Sequence, residues 1–133
     1  MSKSLFLDAN VLYNIIQHRP NAKELKRVIA EYEFIFVSAI SELFAYNYCF
    51  YTEINTGKKF TDDLEKLLSI CHIIQTSSQV TKNAKSILKD KDFEDAVQVA
   101  TAIHNKCDCI LTSDKEMYEN YSNLIEIIFV PKS

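Results

Sequence analysis

Four carboxylates stand where the chain could build chemistry: Asp8, Glu42, Asp95 and Asp114. Each lies at a change of pattern. Asp8 ends the apolar run Leu5-Phe6-Leu7, and Asp114 follows Ile110-Leu111-Thr112-Ser113. Glu42 comes one turn after Val37-Ser38, and Asp95 falls in the first turn of the helical pattern that Asp92 opens. Carboxylates gathered at one point repel strongly unless a cation binds among them. Oxygen donors without His or Cys suit a hard ion, so the expected cofactor is Mg²⁺ or Mn²⁺. Such an ion lowers the pKa of a water and orients it toward a phosphodiester, and no protein nucleophile is then required. No Ser-His-Asp or Cys-His set competes, because His18, His72 and His104 are scattered.

The elements that must position these acids can be read from the apolar pattern. Continuous apolar runs at 5–7, 34–37, 72–74, 110–111 and 125–130 read as buried strands. Helical spacing fills the gaps, at 11–18, from 22 through Ile29, from 39 to about 55, from 61 to about 70, at 80–88 and from 92 through Ile103. A further helix fits between Asp114 and the last strand. Ser38 suits an N-cap, and Gly57, the only glycine, suits a C-cap. Strands alternating with helices imply an α/β domain with a parallel sheet covered on both faces. In such sheets ligands bind outside the carboxyl ends of the strands, where the four acids would converge. Each acid also has a plain structural use. Asp8 suits the cap of a helix starting near Asn10. Asp92 with Asp95 approaches a capping box, Ser113 with Glu116 makes a better one, and Asp114 suits the dipole of that helix. Convergence at one sheet edge favours a shared site over separate caps.

Composition narrows the class. The chain has 133 residues, 47% of them hydrophobic, enough for one domain with its own core. One glycine excludes a Gly-rich phosphate loop. A formal net charge of -3 argues mildly against a broad basic nucleic-acid face, although bound cations would offset the acids locally. No apolar stretch approaches the length of a membrane span, the first residues are polar, and the expected location is cytoplasmic. The four cysteines are then expected as free thiols. The stretch from Leu43 to Tyr51 is rich in Tyr and Phe, and reads as core and dimer packing, or as a platform for unpaired bases. Lysines at 58–59 and at 82, 85 and 89 suit either phosphate contact or a solvated face.

At these residues the chain resembles the PIN-domain family, and within it the VapC-like toxins. The matching pieces are Leu5-Phe6-Leu7-Asp8-Ala9-Asn10, Ser38-Ala39-Ile40-Ser41-Glu42-Leu43, Asp92-Phe93-Glu94-Asp95-Ala96 and Ile110-Leu111-Thr112-Ser113-Asp114. The resemblance implies a three-layer α/β/α sandwich with a central parallel sheet of about five strands, over a single domain at 1–133. It implies a Mg²⁺- or Mn²⁺-dependent ribonuclease whose catalytic and metal-binding acids are Asp8, Glu42, Asp95 and Asp114. Asn10 matches a polar residue that supports the first acid, and Thr112 and Ser113 match the small hydroxyl residues before the last. Asp92 matches a further acid that assists or replaces Asp95. An RNA substrate, an antitoxin protein and a homodimer are the partners it implies.

Two other readings remain open at this level. A haloacid-dehalogenase-like phosphohydrolase also ends a strand in Asp, but its second Asp is here Asn10, which cannot transfer a proton in that role. A non-enzymatic module binding RNA or protein would leave the acids without chemistry.

Overall fold

The structure is a computed structural model that describes residues 3–132. Met1 and Ser2, the start of the polar N-terminal stretch, and Ser133 lie outside them. Five strands form one parallel sheet: β1 (Ser4–Leu7), β2 (Phe34–Ser38), β3 (Cys71–Ile74), β4 (Cys109–Thr112) and β5 (Glu126–Phe129), in the order β3-β2-β1-β4-β5. Between them run α1 (Ala9–Ile16), α2 (Ala22–Ile29), α3 (Ala39–Thr56), α4 (Thr61–Leu68), α5 (Ser78–Ile87), α6 (Phe93–His104) and α7 (Lys115–Tyr121).

The central strand explains the layering. Successive side chains of a strand point to opposite faces. Leu5 and Leu7 therefore join one core with Leu12 and Ile16 of α1, Leu25 of α2, Ala45 and Cys49 of α3, and Leu64 of α4. Phe6 joins the other, with Val80 and Ala84 of α5, Val99 and Ala100 of α6, and Met117 and Tyr121 of α7. Two cores on opposite faces of one sheet make the expected three-layer α/β/α sandwich. Each fully buried aliphatic or aromatic side chain contributes roughly 1.5–3 kcal/mol to holding it.

The strand order places the site. From β1 the chain moves outward to β2 and β3, then returns to lay β4 against the other side of β1. The order reverses between β1 and β4, and a crevice opens at the carboxyl ends flanking such a point. Leu5, Phe6 and Leu7 pair with Cys109, Ile110 and Leu111, and the Asp8 amide continues the ladder to the Leu111 carbonyl at 3.0 Å. Asp8 and the segment from Thr112 to Asp114 are thereby held side by side.

Most helix ends follow from local signals. Ser38 caps α3 by accepting from the Ser41 amide, and Gly57 closes it in the left-handed region at φ 75°. Ser77 and Asp92 cap α5 and α6 in the same way. The cap of α7 is Asp114, which accepts from the Glu116 amide; Ser113, expected in a capping box with Glu116, bonds elsewhere. The aromatic helix meets its core reading in part, since Tyr46 and Tyr48 pack against the core. Only Ser41, Ala45 and Cys49 of α3 are buried, whereas Leu43, Phe50, Tyr51 and Ile54 are exposed. An 18-residue helix runs about 27 Å and a five-residue strand about 17 Å, so α3 is longer than the sheet face it can cover. The four cysteines are free thiols. Among the described residues no helix is long and apolar enough to cross a membrane.

Candidate metal centre

Asp8 occupies the switch between β1 and β4 and is buried, with 4% of its surface exposed. Both its oxygens are engaged. Oδ1 accepts from the Ala9 amide at 2.9 Å, which caps α1. Oδ2 accepts from Asn10 Nδ2 and from Thr112 Oγ1, each at 2.8 Å. The Thr112 hydroxyl in turn accepts from the Asp114 amide at 3.0 Å. Asn10 Oδ1 accepts from the Ser113 amide at 3.0 Å, and Asn21 Nδ2 donates to Ser113 Oγ at 3.0 Å. Asn10 and Thr112 thus tie the ends of β1 and β4 together around one carboxylate. Asn10 spends its amide group on positioning and has no proton to exchange.

Asp95 enters from α6. It is the third residue of that helix and only 6% exposed, and its Oδ2 is buried with no hydrogen-bond partner. Leaving a carboxylate oxygen buried and unpaired is costly. Burial pushes its pKa far above the carboxylate range, and the charges of Asp8, Asp114 and Asp92 and the neighbouring Asp90 carboxyl push the same way. Burial also raises Asp8, from 3.8 to about 6. The bonds from Thr112 and Ala9 hold it down, while Asp114 and Glu94 add to the rise. The charge of Asp114 thus bears on both Asp8 and Asp95, and that of Asp8 on Asp95.

Glu42 behaves differently. It sits half-buried in the first turn of α3, beside Ser41, whose hydroxyl accepts from Gln98 Nε2 of α6 at 2.8 Å. That bond links the start of α3 to α6. Glu42 is nevertheless not among the charges that act most strongly on Asp8 or Asp95; it acts on Tyr46. Asp92 is exposed and caps α6 through Glu94 N at 2.9 Å, so it stands at the rim.

Two acids escaped the sequence reading. Glu94 is half-buried, its pKa raised by burial and then by Asp92, and its charge reaches both Asp8 and Tyr13. Nothing in its spacing separates it from an ordinary first-turn acid. Asp90 accepts from the Asp92 amide at 3.1 Å and from Tyr121 Oη at 3.3 Å. The run Asp90-Lys91-Asp92 carried a signal, since Asp commonly accepts from the amide two residues on.

The donor set is oxygen-only, with one buried oxygen of Asp95 and one of Asp90 unpaired and the carboxyls of Asp8, Asp95 and Glu94 raised first by burial and then by neighbouring acids. That chemistry fits a hard divalent cation. Among the described residues no three acidic, His or Cys groups already form a ligand shell. The fit is therefore to an ion that one or two of these carboxylates touch directly and the others hold through its waters, which is usual for Mg²⁺. A larger groove, about 350 Å³ between α1, α2 and α4, is lined by Ile15, Ile29, Leu67 and Ile70 among others and by none of these acids.

Comparison with known proteins identifies the fold. The PIN domain profile matches residues 5–123. Three solved structures share the fold at low identity. DNA-bound VapBC from Salmonella typhimurium is 14% identical, with a TM-score of 0.68 over 97% of this chain and 98% of that one. VapBC2 from Rickettsia felis, bound to a DNA fragment from its promoter, is 18% identical, with a TM-score of 0.67 over 96% and 98%. VapC20 from Mycobacterium tuberculosis, a sarcin-ricin loop cleaving toxin, is 12% identical, with a TM-score of 0.67 over 86% and 93%. No curated protein matches by sequence. With the profile spanning most of the chain, this protein belongs to the PIN domain family.

Proposed function

We propose that the protein is a Mg²⁺- or Mn²⁺-dependent endoribonuclease that hydrolyses RNA phosphodiesters, acting in the cytoplasm as the toxin of a toxin–antitoxin pair. The observation that carries this reading is the buried, unpaired Asp95 oxygen beside Asp8 and Asp114 at the β1/β4 switch. The family match and the toxin–antitoxin complexes among its structural neighbours support it. Bound there, a divalent cation would activate a water and offset charge on the phosphate. Asp8, Asp95 and Asp114 would hold it, with Glu42 contributing from the first turn of α3.

The chain's own part is positioning. Thr112 and Asn10 fix both the rotamer and the charge of Asp8, because their bonds favour the ionised form. Asp114 spends one oxygen on its helix cap and keeps the other available. A homodimer formed through the exposed Leu43, Phe50, Tyr51 and Ile54 of α3 would cover an apolar stripe that the fold leaves open.

Three outcomes test this reading. Asp8→Asn and Asp95→Asn should each abolish metal-dependent cleavage of RNA while leaving the circular dichroism spectrum intact. Thr112→Val should cost roughly 10–100-fold, as loss of a supporting bond usually does. Full cleavage by both Asp variants would contradict the site.

The second outcome concerns pH. Asp8 holds its proton up to about 6 in the folded chain but only to 3.8 unfolded, and Asp95 is raised further. Between these values the folded state binds more protons, so stability is full below the unfolded pKa and falls as pH rises through the folded values. A cation binding the ionised carboxylates opposes that loss. Mn²⁺ should therefore raise Tm more at about pH 8 than at about pH 4.5. Equal shifts at both would place the ion elsewhere. Third, Tyr51→Glu combined with Ile54→Glu should convert a dimer to a monomer in sedimentation velocity; an unchanged dimer would remove α3 from the interface.

A further inference from the structure

Outside the acid cluster, one surface combines cationic, hydroxyl and aromatic groups. Ser78, Thr81, Lys82 and Lys85 form a stripe along α5 at helical spacing, and Phe93 of α6 closes it into a shallow recess of about 330 Å³. Phe93 is 41% exposed although it begins a helix whose next turn is buried. The ring stays in water although α5 and α6 pack closely beneath it and share the core of Val80, Ala84, Ala96 and Ala100. Lys82 and Lys85 are exposed, and among the described residues neither makes an ion pair or a side-chain hydrogen bond. By contrast Arg27, Lys59 and Lys115 each face a carboxylate on their own surface.

Position gives the recess its meaning. Phe93 lies two residues before Asp95, about 200° around α6, so the exposed ring and the buried acid leave the first turn of one helix on opposite sides. A strand gripped among Asp8, Asp95 and Asp114 that continues around the first turn of α6 would reach the recess. The acids repel a polyanion, and the lysines of the recess supply an attraction that the net charge of -3 does not.

We propose that this recess is a nucleotide subsite for single-stranded RNA, in which Phe93 stacks one base and Lys82 and Lys85 hold the adjoining phosphate. The inference rests on the ribonuclease reading for its choice of ligand and deepens it. Aromatic stacking with lysine contacts to the backbone is the common way to grip an unpaired strand without reading its sequence. Ser78 and Thr81 line the same recess and offer hydroxyls to the sugar-phosphate edge.

The test is fluorescence anisotropy with a labelled oligoadenylate and the full chain in EDTA, so that binding is read without metal-dependent cleavage. Phe93→Ala should weaken affinity about tenfold, whereas Phe93→Tyr should keep it, since stacking contributes roughly 1–3 kcal/mol per base. Lys82→Ala with Lys85→Ala should lower the slope of log affinity against log salt by about 0.7, the value for one phosphate contact on a single strand. Lys26→Ala, on α2, should change neither. These side chains are exposed, so the variants should fold as the parent does. Oligoadenylate bound equally well by parent, Phe93→Ala and the double lysine variant would overturn the subsite while leaving the nuclease reading intact. No binding by the parent would overturn it as well. Binding that depends on Phe93 and the lysines, in a protein that cleaves no RNA with Mn²⁺, would uphold the subsite and overturn the nuclease reading.

Discussion

Burying a carboxylate costs several kcal/mol unless something compensates its charge, and this fold buries two beside each other. Asp8 is compensated within the protein. It takes hydrogen bonds from Ala9, Asn10 and Thr112, and those bonds restrain the rise that burial imposes. Asp95 has no such set, and one of its oxygens stays unpaired. The pair is a local conflict that the surrounding structure must sustain, and a bound cation is the partner whose chemistry removes it. Local conflicts of this kind are expected where function outweighs stability.

The rest of the fold can be read as the means of sustaining it. Two cores grip β1 from both faces, with Leu5, Phe6 and Leu7 completely buried. That clamp fixes the backbone at Asp8, and the ladder to β4 fixes Thr112 and Asp114 against it. On α6 the residues beside and after Asp95 are buried without interruption from Ala96 to Ala102, so the helix has little freedom to withdraw its acid. Tyr121, fully buried at the end of α7, accepts from the Lys89 amide and donates to Asp90. Through it the helix capped by Asp114 braces the loop that leads to Asp95.

Much of this arrangement was legible in the chain because strands and caps are local. Leu5-Phe6-Leu7 and Ile110-Leu111 are too apolar and too short for anything but buried strands, and their ends place Asp8 and Asp114 without further information. Ser38, Asp92 and Gly57 announce helix ends by their own chemistry. What was not legible depends on distances across the fold. The role of Asn21 as a donor to Ser113 spans 92 residues and leaves no pattern. Glu94 gains its influence on Asp8 from how α6 packs, which no spacing in the sequence records. Aromatic residues on α3 read as core because apolar side chains usually are, yet the helix is longer than the sheet face beneath it. Phe93 was quoted as part of a motif and gained its own meaning only from its exposure beside the α5 lysines.

The central claim is that Asp8, Asp95 and Asp114 together hold a divalent cation. Anomalous scattering at the manganese edge from crystals grown with Mn²⁺ tests it most directly. The account predicts a strong peak within coordinating distance of Asp8 and Asp95 carboxylate oxygens, about 2.0–2.3 Å for a hard divalent ion, with water completing the shell. A cluster that stays free of manganese at saturating ion, with Asp95 protonated and bonded to Asp90, would contradict it.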